Sequence, residues 1–150
     1  MKVKEVMTGD IVYLTPDTSA KEAVELLQKK EISGLPVIDA NGKLAGMFTE
    51  KDVLAYILPS YIEKVGHFVY QENPKAVKTK FSQLGHVKVS QLMRHDVTIV
   101  HEDVTLCEVA RMMLIKKVRR IPVVDRAGKI VGIVARCDIL NGLAKEARDV

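Results

Sequence analysis

An internal repeat constrains this chain more than any other feature of its sequence. Residues 3–58 lie over residues 89–144 at a constant offset of 86 with no gap, and 14 of the 56 aligned positions are identical. The identities are Val3/Val89, Met7/Met93, Asp10/Asp96, Asp17/Asp103, Glu22/Glu108, Lys30/Lys116, Pro36/Pro122, Val37/Val123, Asp39/Asp125, Gly42/Gly128, Lys43/Lys129, Gly46/Gly132, Asp52/Asp138 and Leu54/Leu140. Most of the remaining pairs set apolar against apolar, so the chain holds two copies of one unit. At 150 residues it has the size of one compact domain or of two halves sharing one.

Each copy spells the same order of elements. In the first, Val3 to Met7 reads as a short helical lead-in, and IVYL (11–14) as a short strand closed by Pro16 and Asp17. Ser19 with Glu22 three residues later forms a capping box, and Ala20, Ala23, Val24 and Leu27 then recur at helical spacing. LPVID (35–39) and LAGMFT (44–49) read as a hairpin turned at Asn41-Gly42, since both residues tolerate positive φ. A second helix runs from about Glu50 to Leu58. The second copy repeats the order with TIV (98–100), a helix opened by Thr105 and Glu108, the strands IPVVD and IVGIVA, and a closing helix from Asp138. The fold class is therefore α+β, with β-α-β-β-α per copy. A helical crossover makes the first two strands parallel, while the hairpin is antiparallel. Pro36 and Pro122 cannot donate to a ladder and are expected at a strand start or edge.

Composition narrows the function classes. The chain is 47% hydrophobic, enough to bury a core, yet no apolar run approaches the roughly 18 residues of a membrane span. The opening MKVKEVM lacks the apolar centre of a signal peptide, so a soluble cytoplasmic protein is expected. Cys107 and Cys137 form no CxxC pair, which points away from a disulfide framework or a zinc knuckle. His67, His86, His95 and His101 show neither HxxxH nor HExxH spacing, so no metal site is expected. There is no GxSxG, GxGxxG or GxxxxGK, and neither cysteine has a visible histidine partner, so nothing indicates an enzyme. The net charge of +4 favours polyanionic partners only weakly.

The stretches KEVM, IVYLTPDTSAKEAVELLQKKEISGLPVID and NGKLAGMFTEKDVL resemble a CBS domain, and the second copy resembles its partner in a tandem CBS pair, or Bateman module. The resemblance gives residues 1–58 as the first CBS repeat, 59–88 as a connecting insert and 89–150 as the second repeat. It implies two repeats packed about a pseudo-twofold axis. It also implies clefts that take adenosine compounds, namely AMP, ADP, ATP or S-adenosylmethionine, with no metal required. A sensor acting on a regulated protein in trans, and a homodimer, are implied in the same way.

In GMFTEKD the family pattern ends a strand and begins a helix, placing Thr49 and Asp52 three residues apart on one face of the first turn. An ionised carboxylate there can accept from both ribose hydroxyls, and the N–H groups of the turn favour an anion. The plainer role of such an aspartate is to cap the helix, worth about 1 kcal/mol, and the two roles can coexist.

Family members commonly build each cleft from both repeats. The resemblance then implies a main cleft of Met47, Thr49 and Asp52 with Val97, Thr98, Val118, Arg119, Arg120 and Pro122. A second, weaker cleft would join Ala135, Arg136, Cys137 and Asp138 to Thr8, Val12, Ile32, Ser33 and Pro36. The second lacks the hydroxyl at Ala135 and has Ser33-Gly34 where the first has Arg119-Arg120. Loss of one neutral and one charged hydrogen bond is roughly 30-fold to 2000-fold in affinity. Arg136 is a candidate substitute cation.

The insert 59–88 carries five lysines against two glutamates and the aromatics Tyr61, Phe68, Tyr70 and Phe81. Tyr61, Ile62, Val65 and Val69 recur at helical spacing, which predicts a helix followed by a basic strap. Two functions from different classes remain open: a nucleotide sensor, or an interaction scaffold or nucleic-acid-binding module working through residues 59–88 with vestigial clefts.

Overall fold

Repetition in the sequence becomes repetition of structure, with one exchange that no alignment of the copies displays. The computed structural model describes residues 1–58 and 74–149. The expected helix over Tyr61, Ile62, Val65 and Val69, with Phe68 and Tyr70, lies outside the described residues.

The first copy contains α1 (Ala20–Lys30), β1 (Gly34–Ile38), β2 (Leu44–Thr49) and α2 (Glu50–Ile57). Between the copies stands α3 (Pro74–Ser82), followed by a 3-10 turn at Gln83–His86. The second copy contains α4 (Val89–Leu92), β3 (Val100–His101), α5 (Leu106–Lys116), β4 (Arg120–Val124), β5 (Ile130–Ala135) and α6 (Arg136–Arg148). Helix starts follow the sequence signals: Ser19 Oγ accepts from Glu22 N at 3.1 Å, and Thr105 Oγ1 accepts from Glu108 N at 3.4 Å. Both helices end on a non-glycine residue in the left-handed region, Glu31 at φ 55° and Lys117 at φ 56°.

Several expectations change. IVYL does not form a strand: only Leu14 bridges, in parallel, to Val37, with its N–H on the Pro36 carbonyl at 2.9 Å and its carbonyl accepting from Ile38 N at 2.8 Å. Its counterpart begins later than TIV suggested and is limited to Val100–His101, parallel to β4. Pro36 lies in β1 of a two-stranded sheet and so in an edge strand as expected, whereas Pro122 occupies the middle strand of the sheet β3-β4-β5. It is tolerated because β3 reaches only Val123 and Val124, so nothing on that side asks Pro122 for an N–H. In the hairpin turns only the glycines adopt positive φ, Gly42 at 80° and Gly128 at 83°, and Asn41 does not. The turn in the second copy is tied by Asp125, whose Oδ1 accepts from Ala127 N at 2.9 Å and Lys129 N at 3.0 Å. The closing helix starts at Arg136, two residues before Asp138. The stretch expected as a basic strap forms α3.

The chain divides into two compact units whose membership crosses the repeats. One unit joins Met1–Val12 and Asn41–Leu44 to Asp96–Val150, and the other joins Tyr13–Ala40 to Ala45–His95. In the first unit, the lead-in of copy one completes the core of copy two. Val3 N donates to the Val104 carbonyl at 2.8 Å, Lys4 N to that of Glu102 at 3.2 Å, and Thr8 and Ile133 exchange both backbone bonds at 2.9 and 3.0 Å. Lys4 Nζ meets Asp103 at 3.1 Å and holds that carboxyl below its usual pKa. The Met1 amine pairs with Glu146. Val3 is fully buried here with Leu106, Val109, Met113, Ile121, Val123, Val134 and Ile139.

The second unit mirrors this, 86 residues on. Val89 N donates to Thr18 O at 2.8 Å, Ser90 N to Pro16 O at 3.1 Å, and Met47 and Arg94 exchange bonds at 2.9 and 2.8 Å. Val89 is buried with Leu14, Ala20, Ala23, Leu27, Leu35, Val37, Phe48, Val53 and Ile57, and Leu84 from the connecting segment joins them.

The exchange explains the glycine in GMFTEKD and in GIVARCD. A Cβ on Gly46 would stand 2.5 Å from the Arg94 carbonyl oxygen, and one on Gly132 would stand 2.5 Å from Met7 Sδ. The incoming lead-in lies too close to the strand for any side chain.

Candidate functional site

The two strand-to-helix turns are built alike. At the end of β2, Thr49 is the N-cap of α2 in an extended conformation, and Asp52 sits at the third helical position. Asp52 Oδ2 accepts from Thr49 N at 2.8 Å and from Thr49 Oγ1 at 3.1 Å. The capping role anticipated for Asp52 is therefore filled, and by one oxygen: Oδ1 accepts no hydrogen bond among the described residues. At the end of β5, Asp138 Oδ2 accepts from Ala135 N at 2.8 Å, with no hydroxyl beside it. Both aspartates are half-buried.

A second contact pins each turn. Glu50 N donates to the Ser33 carbonyl at 2.9 Å, and Arg136 N donates to that of Arg119 at 3.1 Å. These bonds take one of the N–H groups that the sequence offered to an anion. They also put the residues ahead of each proline beside the turn of the same copy, a neighbourhood not foreseen in the sequence. In β4 and β5 the register opposes Arg120 to Ala135, and Arg136 Nε reaches the Val118 carbonyl at 3.4 Å. Val118, Arg119, Arg120, Arg136 and Asp138 thus gather at one end of the β4–β5 hairpin. Arg119 and Arg136 are exposed, and Arg120 is half-buried.

The other candidates divide between the units. Thr8, bonded to Ile133, and Val12 belong with Val97, Thr98, Pro122, Ala135 and Cys137. Ile32, Ser33, Pro36 and Met47 belong with Thr49 and Asp52. Val97 and Thr98 are half-buried outside regular strand, whereas Pro36, Met47 and Pro122 are buried. Cys107 and Cys137 are exposed free thiols. Among the described residues no group of histidine, cysteine or carboxylate side chains could hold a metal ion, and no helix is long and apolar enough to cross a membrane.

Known proteins share this fold. The chain is 34% identical to the chloroplastic CBS domain-containing protein CBSX1 of Arabidopsis thaliana, over 93% of this chain and 62% of that one. It is 32% identical to an inosine-5'-monophosphate dehydrogenase of Methanocaldococcus jannaschii, but spans only 23% of that enzyme. Among solved structures, CBSX2 of Arabidopsis thaliana superposes with a TM-score of 0.80 at 30% identity, covering 99% of this chain and 98% of that one. CBSX2 in complex with AMP superposes at 0.73 with 31% identity, covering 97% and 98%. The family model for the CBS domain matches residues 3–59 and again 89–145. With both copies matched, the chain belongs to the CBS domain family as a tandem pair.

Proposed function

We propose that the chain is a regulatory module that binds an adenine nucleotide and transmits occupancy to a partner protein in trans. The observation that carries this reading is the half-committed carboxylate of Asp52, with one oxygen holding its helix and the other unbonded among the described residues. Such an oxygen suits a ribose hydroxyl. A relative seen with AMP supports the ligand class. The ligand is AMP, ADP or ATP, with S-adenosylmethionine as a further adenosine compound to test. Asp52 and Thr49 are the proposed ribose contacts and Arg119 and Arg120 the proposed phosphate contacts, and the double variants below test whether they serve one ligand. Asp138, beside Ala135, serves the weaker cleft. A homodimer is proposed as the working form. The unpaired, exposed cysteines fit a reducing compartment such as the cytoplasm.

A thermal-shift panel with the four compounds tests the reading. Ligand at 100 times its Kd adds about 2.7 kcal/mol, or roughly 5–11 °C in Tm for a chain of this size. Asp52→Asn keeps an oxygen to accept from Thr49 N, so Tm without ligand should barely move while calorimetric affinity falls about tenfold or more. No shift with any of the compounds, or unchanged affinity in Asp52→Asn, sinks the proposal. Combining Arg119→Ala/Arg120→Ala with Asp52→Asn, and separately with Asp138→Asn, shows which aspartate shares a ligand with the arginines.

A further inference from the structure

Residues 74–95 contain Lys75, Lys78, Lys80, Lys88 and Arg94 and no acidic residue. α3 lies in this stretch, and its apolar side is already used. Val77 packs against the core of its unit, and Leu84 of the following 3-10 turn is 1% exposed within that core. Helical spacing leaves Lys75, Lys78 and Phe81 outside, at successive intervals of three that make neighbours on a helix surface. Phe81 is 49% exposed. Lys21 of α1 runs alongside the same segment, its Cδ lying 3.8 Å from where a Cβ on Gly85 would stand. Lys80 is occupied otherwise, with its ammonium 4.8 Å from the centre of the Tyr56 ring.

Lys4, Lys88 and Arg111 each meet a carboxylate. Among the described residues no ion pair engages Lys21, Lys75 or Lys78. An aromatic face left outside the core, flanked by uncompensated ammonium groups, matches one kind of polyanion best. A membrane surface calls for a broad apolar helix face, and α3 has turned its own inward. An acidic peptide needs the charges but not the ring. In a duplex the bases are stacked away, whereas a single strand offers base faces and phosphates together.

We propose that α3 presents a binding surface for single-stranded nucleic acid, with Phe81 stacking on a base and Lys21, Lys75 and Lys78 contacting the flanking phosphates. The proposal does not rest on the nucleotide reading of the two turns.

Fluorescence anisotropy with the full chain and labelled 12-nucleotide RNA and DNA single strands tests the assignment between about 50 and 200 mM salt. Three phosphate contacts predict a slope of log affinity against log salt of about −2, at roughly −0.7 per contact on a single strand. Lys75→Glu/Lys78→Glu should weaken binding at least about tenfold and flatten the slope to about −0.7. Phe81→Ala should weaken it about fivefold or more, and Phe81→Leu, which keeps apolar bulk without a ring, should weaken it equally. Lys29→Glu/Lys30→Glu makes the same charge change elsewhere and should leave binding intact. Thermal melts of each variant establish that it is folded. The assignment is overturned by absent saturable binding at low salt, by no loss in the Phe81 variants, or by equal loss in Lys29→Glu/Lys30→Glu. Tighter binding of duplex, phosphatidylserine vesicles or polyglutamate also overturns it. Nucleotide thermal shifts are read on the same proteins, so failure here leaves the sensor reading standing or falling on its own result.

Discussion

The two copies share a backbone plan and differ in what fills it. Phe48 in the first occupies the position of Val134 in the second, and both are fully buried. Ala20 is buried in a core against which Tyr56 packs, while the second copy has Leu106 and Gly142 at those positions. Volume has moved from one helix to its neighbour. The turns differ in kind: Thr49 supplies a hydroxyl that Ala135 lacks, and Ser33-Gly34 faces one turn where Arg119-Arg120 faces the other. The lesson is that caps, turn glycines and the glycine under each lead-in hold the plan, while core volume and ligand chemistry vary around it.

The largest expected contrast lies in the cores. Phe48→Ala should cost about 3–5 kcal/mol and Val134→Ala about 2, because the ring leaves the larger cavity. Equal losses in urea unfolding would break the idea that the first copy relies on its aromatic.

A sharper contrast concerns the glycines under the lead-ins. At Gly46 a methyl would meet the Arg94 carbonyl, which is backbone, at 2.5 Å, whereas at Gly132 it would meet Met7 Sδ at 2.5 Å and the Thr8 carbonyl only at 3.0 Å. A flexible thioether can swing aside. Gly46→Ala should therefore cost about 3 kcal/mol and Gly132→Ala about 1, visible as a larger fall in Tm for the former. The reverse order would mean that the lead-in moves more easily than the methionine.

The smallest effect tests the exchanged volume. Gly142 lies within α6, where alanine ordinarily stabilises by about 1 kcal/mol, yet its Cβ would stand 2.6 Å from Leu106 Cδ1. Gly142→Ala should destabilise the wild type and become neutral or favourable in Leu106→Ala. Strict additivity across that double-mutant cycle would refute the coupling.

Much of the plan is legible in the sequence. Ser19 and Thr105 announce their helices, LAGMFT and IVGIVA match β2 and β5 residue for residue, and the repeat itself identifies the pair of turns. The strand expected at IVYL shrinks to the single bridge at Leu14, with Val12 and Tyr13 left exposed ahead of it. The capping of α2 by Asp52 and its use toward a ligand look identical in sequence, since both need an acceptor at the same helical position.

Sequence alone determined the duplication, the order of elements and the residue types at each turn, because periodicity, capping and turn preferences act over a few neighbouring residues. Tertiary structure decided which core each lead-in enters. Val3 and Val89 are the same residue in matching contexts, so no local preference separates the two choices. Only packing over the whole chain does so, sending Val3 under Val104 and Val89 under Thr18, and with that it places glycines at 46 and 132 and sets Arg119 against Arg136.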